Sequence, residues 1–185
     1  MEAKTTIPSR QSTLIEVNVR WLRQALQLLD RLDDGVYSTT PRGFAPHRAG
    51  ANLRHILEFY RCFLEGLESA HIDYDARRRD EAIEYSRAAA SAAIQSIIWS
   101  LETRQELRLE RIVWVRMEDA GASSEIDTLM ESSISRELQV LSSHTVHHFA
   151  LIAMTLRIHG VEMDPDFGMA PSTLRYLASK HVEAA

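Results

Sequence analysis

Cysteine is almost missing from this chain: Cys62 is alone among 185 residues, so no intrachain disulfide can form. Long apolar runs are missing too. No stretch of about 18 apolar residues is present to span a bilayer, and the opening MEAKTTIPSRQS lacks the apolar core of a signal peptide. A cytoplasmic protein with no membrane partner is expected. Basic patches are equally scarce: 21 basic against 26 acidic side chains leave a formal net charge of −5, and no segment concentrates lysines. Nucleic acid is therefore not an expected partner, because phosphate binding needs clustered positive charge. Internal repeats and low-complexity tracts are absent as well.

The hydrophobic content is 45% and the charged content 25%, an ordinary balance for one soluble domain spanning residues 1–185. Apolar residues at Ile15, Val19, Leu22, Leu26 and Leu29 recur at helical spacing, predicting a helix over 12–32 that stops at Asp33-Asp34-Gly35. Residues 35–50, with prolines and glycines and no periodicity, read as a loop. A second helix is predicted over 51–67, followed by a charged link at 71–80 whose Asp80 can cap the next helix. That third helix should run unbroken over 81–103. Residues 107–117 and 126–130 favour strand, with a turn at Ala120-Gly121, so a small hairpin is expected. The last long helix begins at Ser132 or Ser133 and ends at His159, with Gly160 as a left-handed cap. A short helix over 172–179 closes the chain. The fold class is all-α, four long helices forming a bundle.

On the last long helix Leu141, His144, His148 and Ile152 fall at spacings of three and four, so both imidazoles share the apolar seam. A spacing of four puts their Cβ atoms roughly 6 Å apart, close enough for one metal to meet both rings. The pair alone is weak, because buried histidines often only hydrogen-bond. A third inward histidine strengthens it, and His55 on the second helix is the candidate.

The stretches Arg54-His55-Ile56-Leu57-Glu58-Phe59-Tyr60 and Ser143-His144-Thr145-Val146-His147-His148-Phe149-Ala150-Leu151-Ile152 resemble the DinB/YfiT-like metalloenzyme family. Its pattern is one histidine on helix two and H-x-x-x-H on helix four of an up-down-down-up four-helix bundle. Segments 73–80 and 166–174 also look like one branch of it. The resemblance implies one divalent metal on His55, His144 and His148, with coordination positions left open for water or substrate. It also implies a small-molecule substrate, for a hydrolase or for a transferase using a low-molecular-weight thiol. Three imidazoles suit zinc, nickel, cobalt or iron, with zinc or nickel expected.

Arg54, Asp75, Arg77 and Arg78 are candidate contacts for an anionic substrate, though a solvated, salt-bridged surface is an equal reading. No catalytic residue can be named. His147 lies about 100° round the helix from His148 and reads as an edge residue, His47 as a solvated loop histidine. Glu137 reads as a surface acid near the helix start, with a role beside the metal as the alternative. Cys62 lies about 10.5 Å along the helix from His55 and reads as core rather than as a fourth ligand. A homodimer is expected because relatives of this fold often pair and because Ile97, Ile98 and Trp99 point in different directions round one helix. Two rival readings stand: a non-catalytic bundle that binds a metal or small ligand as a stress sensor, and three histidines that only satisfy polar contacts in a core.

Overall fold

The computed structural model describes residues 10–43, 47–104, 107–117 and 129–183. Helices dominate: α1 (Arg10–Arg31), α2 (Asp34–Ser38), α3 (Ala49–Gly66), α4 (Glu81–Tyr85), α5 (Arg87–Thr103), α6 (Ile134–Ile158) and α7 (Pro171–Glu183). Three short strands accompany them, β1 (His71–Asp73), β2 (Ile112–Arg116) and β3 (Leu129–Ser133). Among the described residues no helix is long and apolar enough to cross a membrane.

The long helices bury the stripes that their periodicity announces. Helix α3 packs on α5 and α6, and α1 packs on the same two. Leu22, Leu29, Ile56, Leu57, Tyr60, Phe63, Ile94 and Leu138 are all but sealed from solvent. Each such side chain contributes roughly 1.5–3 kcal/mol by leaving water. One polar knot crosses this core. Tyr60 donates to Asn18 Oδ1 (2.7 Å), and the Asn18 amide donates to the carbonyls of Leu14 (2.9 Å) and Leu138 (3.1 Å). A buried side-chain network with its donors matched fixes the relative register of α1, α3 and α6.

The all-α expectation is corrected, because a three-stranded sheet is present in the order β1-β2-β3. Strands β2 and β3 are antiparallel, Val113 facing Ser132 and Val115 facing Met130, as a hairpin requires. The second strand lies three residues later than the predicted 126–130, and the predicted turn at Ala120-Gly121 falls outside the described residues. Strand β1 is the element missed. It pairs in parallel with β2, His71 opposite Trp114, where the sequence suggests only a charged link because Ile72 is its one apolar residue. That residue is fully buried, and a single anchor leaves no period to detect.

Two other boundaries differ. The third helix breaks at Ser86, whose hydroxyl accepts from Ala89 N and caps α5 while its own N–H closes α4 on Ala82 O. A serine oxygen competes with the helical ladder for backbone donors, so it can end one helix and begin the next. The 35–50 loop contains α2, whose Tyr37 is buried and donates to Ile83 O (2.6 Å). The predicted caps at Asp80 and Gly160 are present, Gly160 at φ +78°, and of the two expected starts of the last long helix Ser133 is the one that caps it. Helix α7 runs to Glu183, past the predicted 179. Of the apolar trio on α5, Ile97 and Ile98 are buried within this chain and Trp99 is 67% exposed.

Candidate metal centre

Helix α3 carries His55 outward from its buried face, and α6 carries His144 and His148 one turn apart. Because α3 and α6 pack against each other, the three rings converge: centroids are 4.9 Å apart for His55 and His144, 4.6 Å for His55 and His148, and 4.5 Å for His144 and His148. One nitrogen from each ring can be chosen so that all three lie within 4.8 Å of one another, every ring half-buried.

Packing and hydrogen bonds set how each ring stands. Phe59, one turn after His55 on α3, stacks on His144 at 4.0 Å between centroids and meets His55 edge-on at 4.9 Å. Its other face stacks on Tyr74 at 4.9 Å, and Tyr74 donates to the buried Glu137 carboxylate (2.8 Å). The His144 plane is thereby held by a sandwich anchored on a charge. Asn52 orients His148. The Asn52 amide nitrogen donates to Arg48 O (3.0 Å), which leaves its oxygen 2.8 Å from His148 Nδ1. Nδ1 must therefore carry the proton and donate, and the Nε2 lone pair is free.

His144 Nε2 is buried and has no hydrogen-bond partner among the described residues. Such an orphan costs about 1–3 kcal/mol unless something satisfies it. A metal ion would do so, and the all-imidazole donor set matches zinc, nickel, cobalt or iron rather than calcium or magnesium.

Electrostatics keep the rings neutral. All three pKa values fall from 6.5 to about 4, chiefly through burial and then through repulsion from neighbours that carry or would gain positive charge: His148 and Arg77 for His55, His55 and His147 for His144, His144 and His147 for His148. A ligand imidazole must be unprotonated, so the set is ready to coordinate at neutral pH. A stability consequence follows. With folded-state values below the unfolded 6.5, the unfolded chain takes up protons first as pH falls. The metal-free protein should hold its full stability above pH 6.5 and lose it progressively between 6.5 and about 4. Urea midpoints across that range test this, and a midpoint that rises on acidification contradicts neutral burial of the rings.

The other candidates are placed unevenly. Arg77 lies at the cluster, its Nη1 donating to His55 Nδ1 (3.3 Å) and its guanidinium 5.2 Å from the centre of the Phe59 ring. Arg54 is taken up by ion pairs with Glu84 (2.9 Å) and Glu58 (3.5 Å). Asp75 is exposed, its backbone N–H donating to Asp73 Oδ1, and Arg78 pairs with Glu65. His47 and His147 are exposed, and Cys62 is buried with its thiol pushed up to about 11, mainly by burial. Glu137 is no surface acid: it is 4% exposed and accepts from both Tyr74 and Ser132 (2.6 Å). Asn52 was missed, since its role depends on α3 and α6 lying side by side.

The segment from Tyr74 to Asp80 is pinned at both ends. Tyr74 N donates to Arg116 O (3.0 Å), while Asp75 N and Ala76 N both donate to Asp73 Oδ1. Asp80 N donates to the buried Glu58 (2.9 Å), and the Asp80 carboxylate pairs with Arg61 (3.0 Å). Arg79, within the segment, takes a left-handed backbone conformation at φ +51°.

No protein-family profile matches the chain, and no solved structure does so either. A curated protein named FK506-binding protein 5, from Rhizopus delemar, is similar to it, 33% identical over 107 residues. That match takes in 57% of this chain, which spans 27% of the relative's length.

Proposed function

We propose that the chain is a metalloprotein of the DinB/YfiT-like kind, in which α1, α3, α5 and α6 form an up-down-down-up four-helix bundle. It holds one divalent transition metal, zinc or nickel, at His55, His144 and His148. A small molecule is its substrate, in a hydrolase or a thiol-dependent transferase. The observation that carries the reading is the buried His144 Nε2, without a partner among the described residues, beside two further neutral imidazoles.

When bound, such an ion supplies a Lewis-acid centre that lowers the pKa of its water towards about 7 or stabilises a thiolate. The chain's own groups supply the rest. Asn52 holds the His148 tautomer, Phe59 fixes the His144 plane, and Arg77 brings positive charge to the edge of the set. Cys62 is not a source of thiolate, because burial holds its proton on. A thiol would have to come from solution.

Elemental analysis of untagged protein purified without added metal tests the reading. About one equivalent of a first-row transition metal is expected, and protein that stays metal-free when offered zinc and nickel sinks it. Asn52→Leu should weaken metal binding roughly 10–100-fold with all three ligands intact, because the Nδ1 acceptor is lost. Competition against a chromophoric chelator measures this; an unchanged affinity would remove Asn52 from the centre. A non-catalytic binder is the second reading, favoured by Glu137, whose two carboxylate oxygens are both committed to Tyr74 and Ser132. A turnover screen with thiol cofactors and model esters separates the two.

A further inference from the structure

Arginines around the centre are paired with carboxylates: Arg48 with Glu84 (2.7 Å), Arg54 with Glu84 and Glu58, Arg61 with Asp80, and Arg78 with Glu65. Arg77 is the exception. It is half-buried, lies against the face of Phe59, and its polar contact among the described residues is with an imidazole nitrogen. A fixed positive charge beside a cation site is unfavourable unless an anion later joins both.

The hydrogen bond to His55 sharpens this. A guanidinium only donates, so His55 Nδ1 is the acceptor and its single lone pair is in use. A neutral imidazole has one lone pair and one N–H. If a metal takes Nδ1 it displaces Arg77 directly. If it takes Nε2, the proton moves to Nδ1, where it opposes the Arg77 N–H. In either case loading the centre would release the Arg77 donors beside the three-histidine cluster. The pinned ends of segment 74–80 keep the side chain there.

We infer that Arg77 is the anchor for a substrate oxyanion, a carboxylate or its phosphate counterpart, held between its guanidinium fork and the open face of the metal. This rests on the metal reading above and adds the substrate class. The planar fork offers two parallel N–H groups to two oxygens of one such anion. The pairing also accounts for a half-buried arginine left without a carboxylate: the substrate brings it. Arg54 and Asp75 have no part, Arg54 being occupied and Asp75 lying in solvent.

The test uses the full chain loaded with cobalt(II), whose visible absorption reports added ligands, titrated with acetate, with inorganic phosphate and with neutral acetamide. Wild type should bind the two anions at least about tenfold more tightly than acetamide. Arg77→Met should lose about 10–100-fold in anion affinity, the scale of one charge-assisted hydrogen-bonded contact, and Arg77→Lys should regain part of it. Acetate or phosphate as the tighter ligand names a carboxylate or a phosphate ester as the source. Metal affinity should rise in Arg77→Met, since a competitor for the His55 lone pair and a like charge both leave. Equal anion affinity in wild type and Arg77→Met, or weaker metal binding in that variant at unchanged helix content, overturns the inference and leaves the metal reading standing. Failure of wild type to take up cobalt, zinc or nickel removes both.

Discussion

Replacing His144 or His148 by Ala is expected to bring bound metal to background while far-ultraviolet circular dichroism stays unchanged. A lost ligand should cost more than the roughly 10–100-fold that follows removal of an outer hydrogen-bond partner. The fold has little stake in either ring. His144 contributes no hydrogen bond through Nε2, and its stack on Phe59 is worth about 0.5–1.5 kcal/mol at most. His148 leaves one unpaired acceptor, Asn52 Oδ1, when removed. The helices that carry these rings are held instead by aliphatic and aromatic residues such as Leu57, Tyr60, Leu141 and Ile152. Stoichiometric metal retained in both variants would end the three-histidine assignment, and a variant that unfolds where wild type never held metal would make the rings structural.

Gly50→Ala should be strongly destabilising, although position 50 lies outside the centre. Alanine normally stabilises a helix relative to glycine by about 0.5–1 kcal/mol. Here the sign reverses. A Cβ at position 50 would run into Glu84 O and sit 3.0 Å from Tyr37 Cε1. The nearest obstacle is backbone, which cannot rotate aside, so α4 must move away from α3. It would carry Glu84 with it, and with Glu84 the ion pairs to Arg48 and Arg54. Overpacking of a core costs about 1–3 kcal/mol, and this case belongs at or beyond the upper end. Urea denaturation gives the value directly; a loss smaller than about 0.5 kcal/mol, the range of ordinary surface changes, would mean that α4 is not seated on Gly50.

What could be read from the sequence and what could not differ by the range of the interaction. The faces of α1, α3 and α6 are written in spacings of three and four, and the caps at Asp80, Ser133 and Gly160 are local chemistry, so both were legible. His144 and His148 were legible as a pair for the same reason. His55 becomes their neighbour only through helix order, which periodicity within one segment does not carry; it stood as the candidate third histidine on the second helix, and the family resemblance supported it. Asn52 and Glu137 lie further from reach. One meets His148 from the opposite helix, and the other is buried because Tyr74 from the end of β1 closes over it. Neither environment exists until distant segments meet. Ser86 failed differently: the alanine-rich stretch after it favours helix, and the break depends on one hydroxyl that caps α5.

The pinned segment between Tyr74 and Asp80 bears on the speed of exchange. With Tyr74 fixed to β2 and Glu137, and Asp80 fixed to Glu58 and Arg61, there are only five residues between two anchors. Opening such a segment would mean breaking several bonds at once, a microsecond-to-millisecond event, whereas a single side chain turns over much faster. Arg77 can thus leave His55 and return many times before the backbone moves. Uptake of an ion, and arrival of an anion behind it, would be limited by diffusion and by the shedding of hydration water rather than by the opening of a lid.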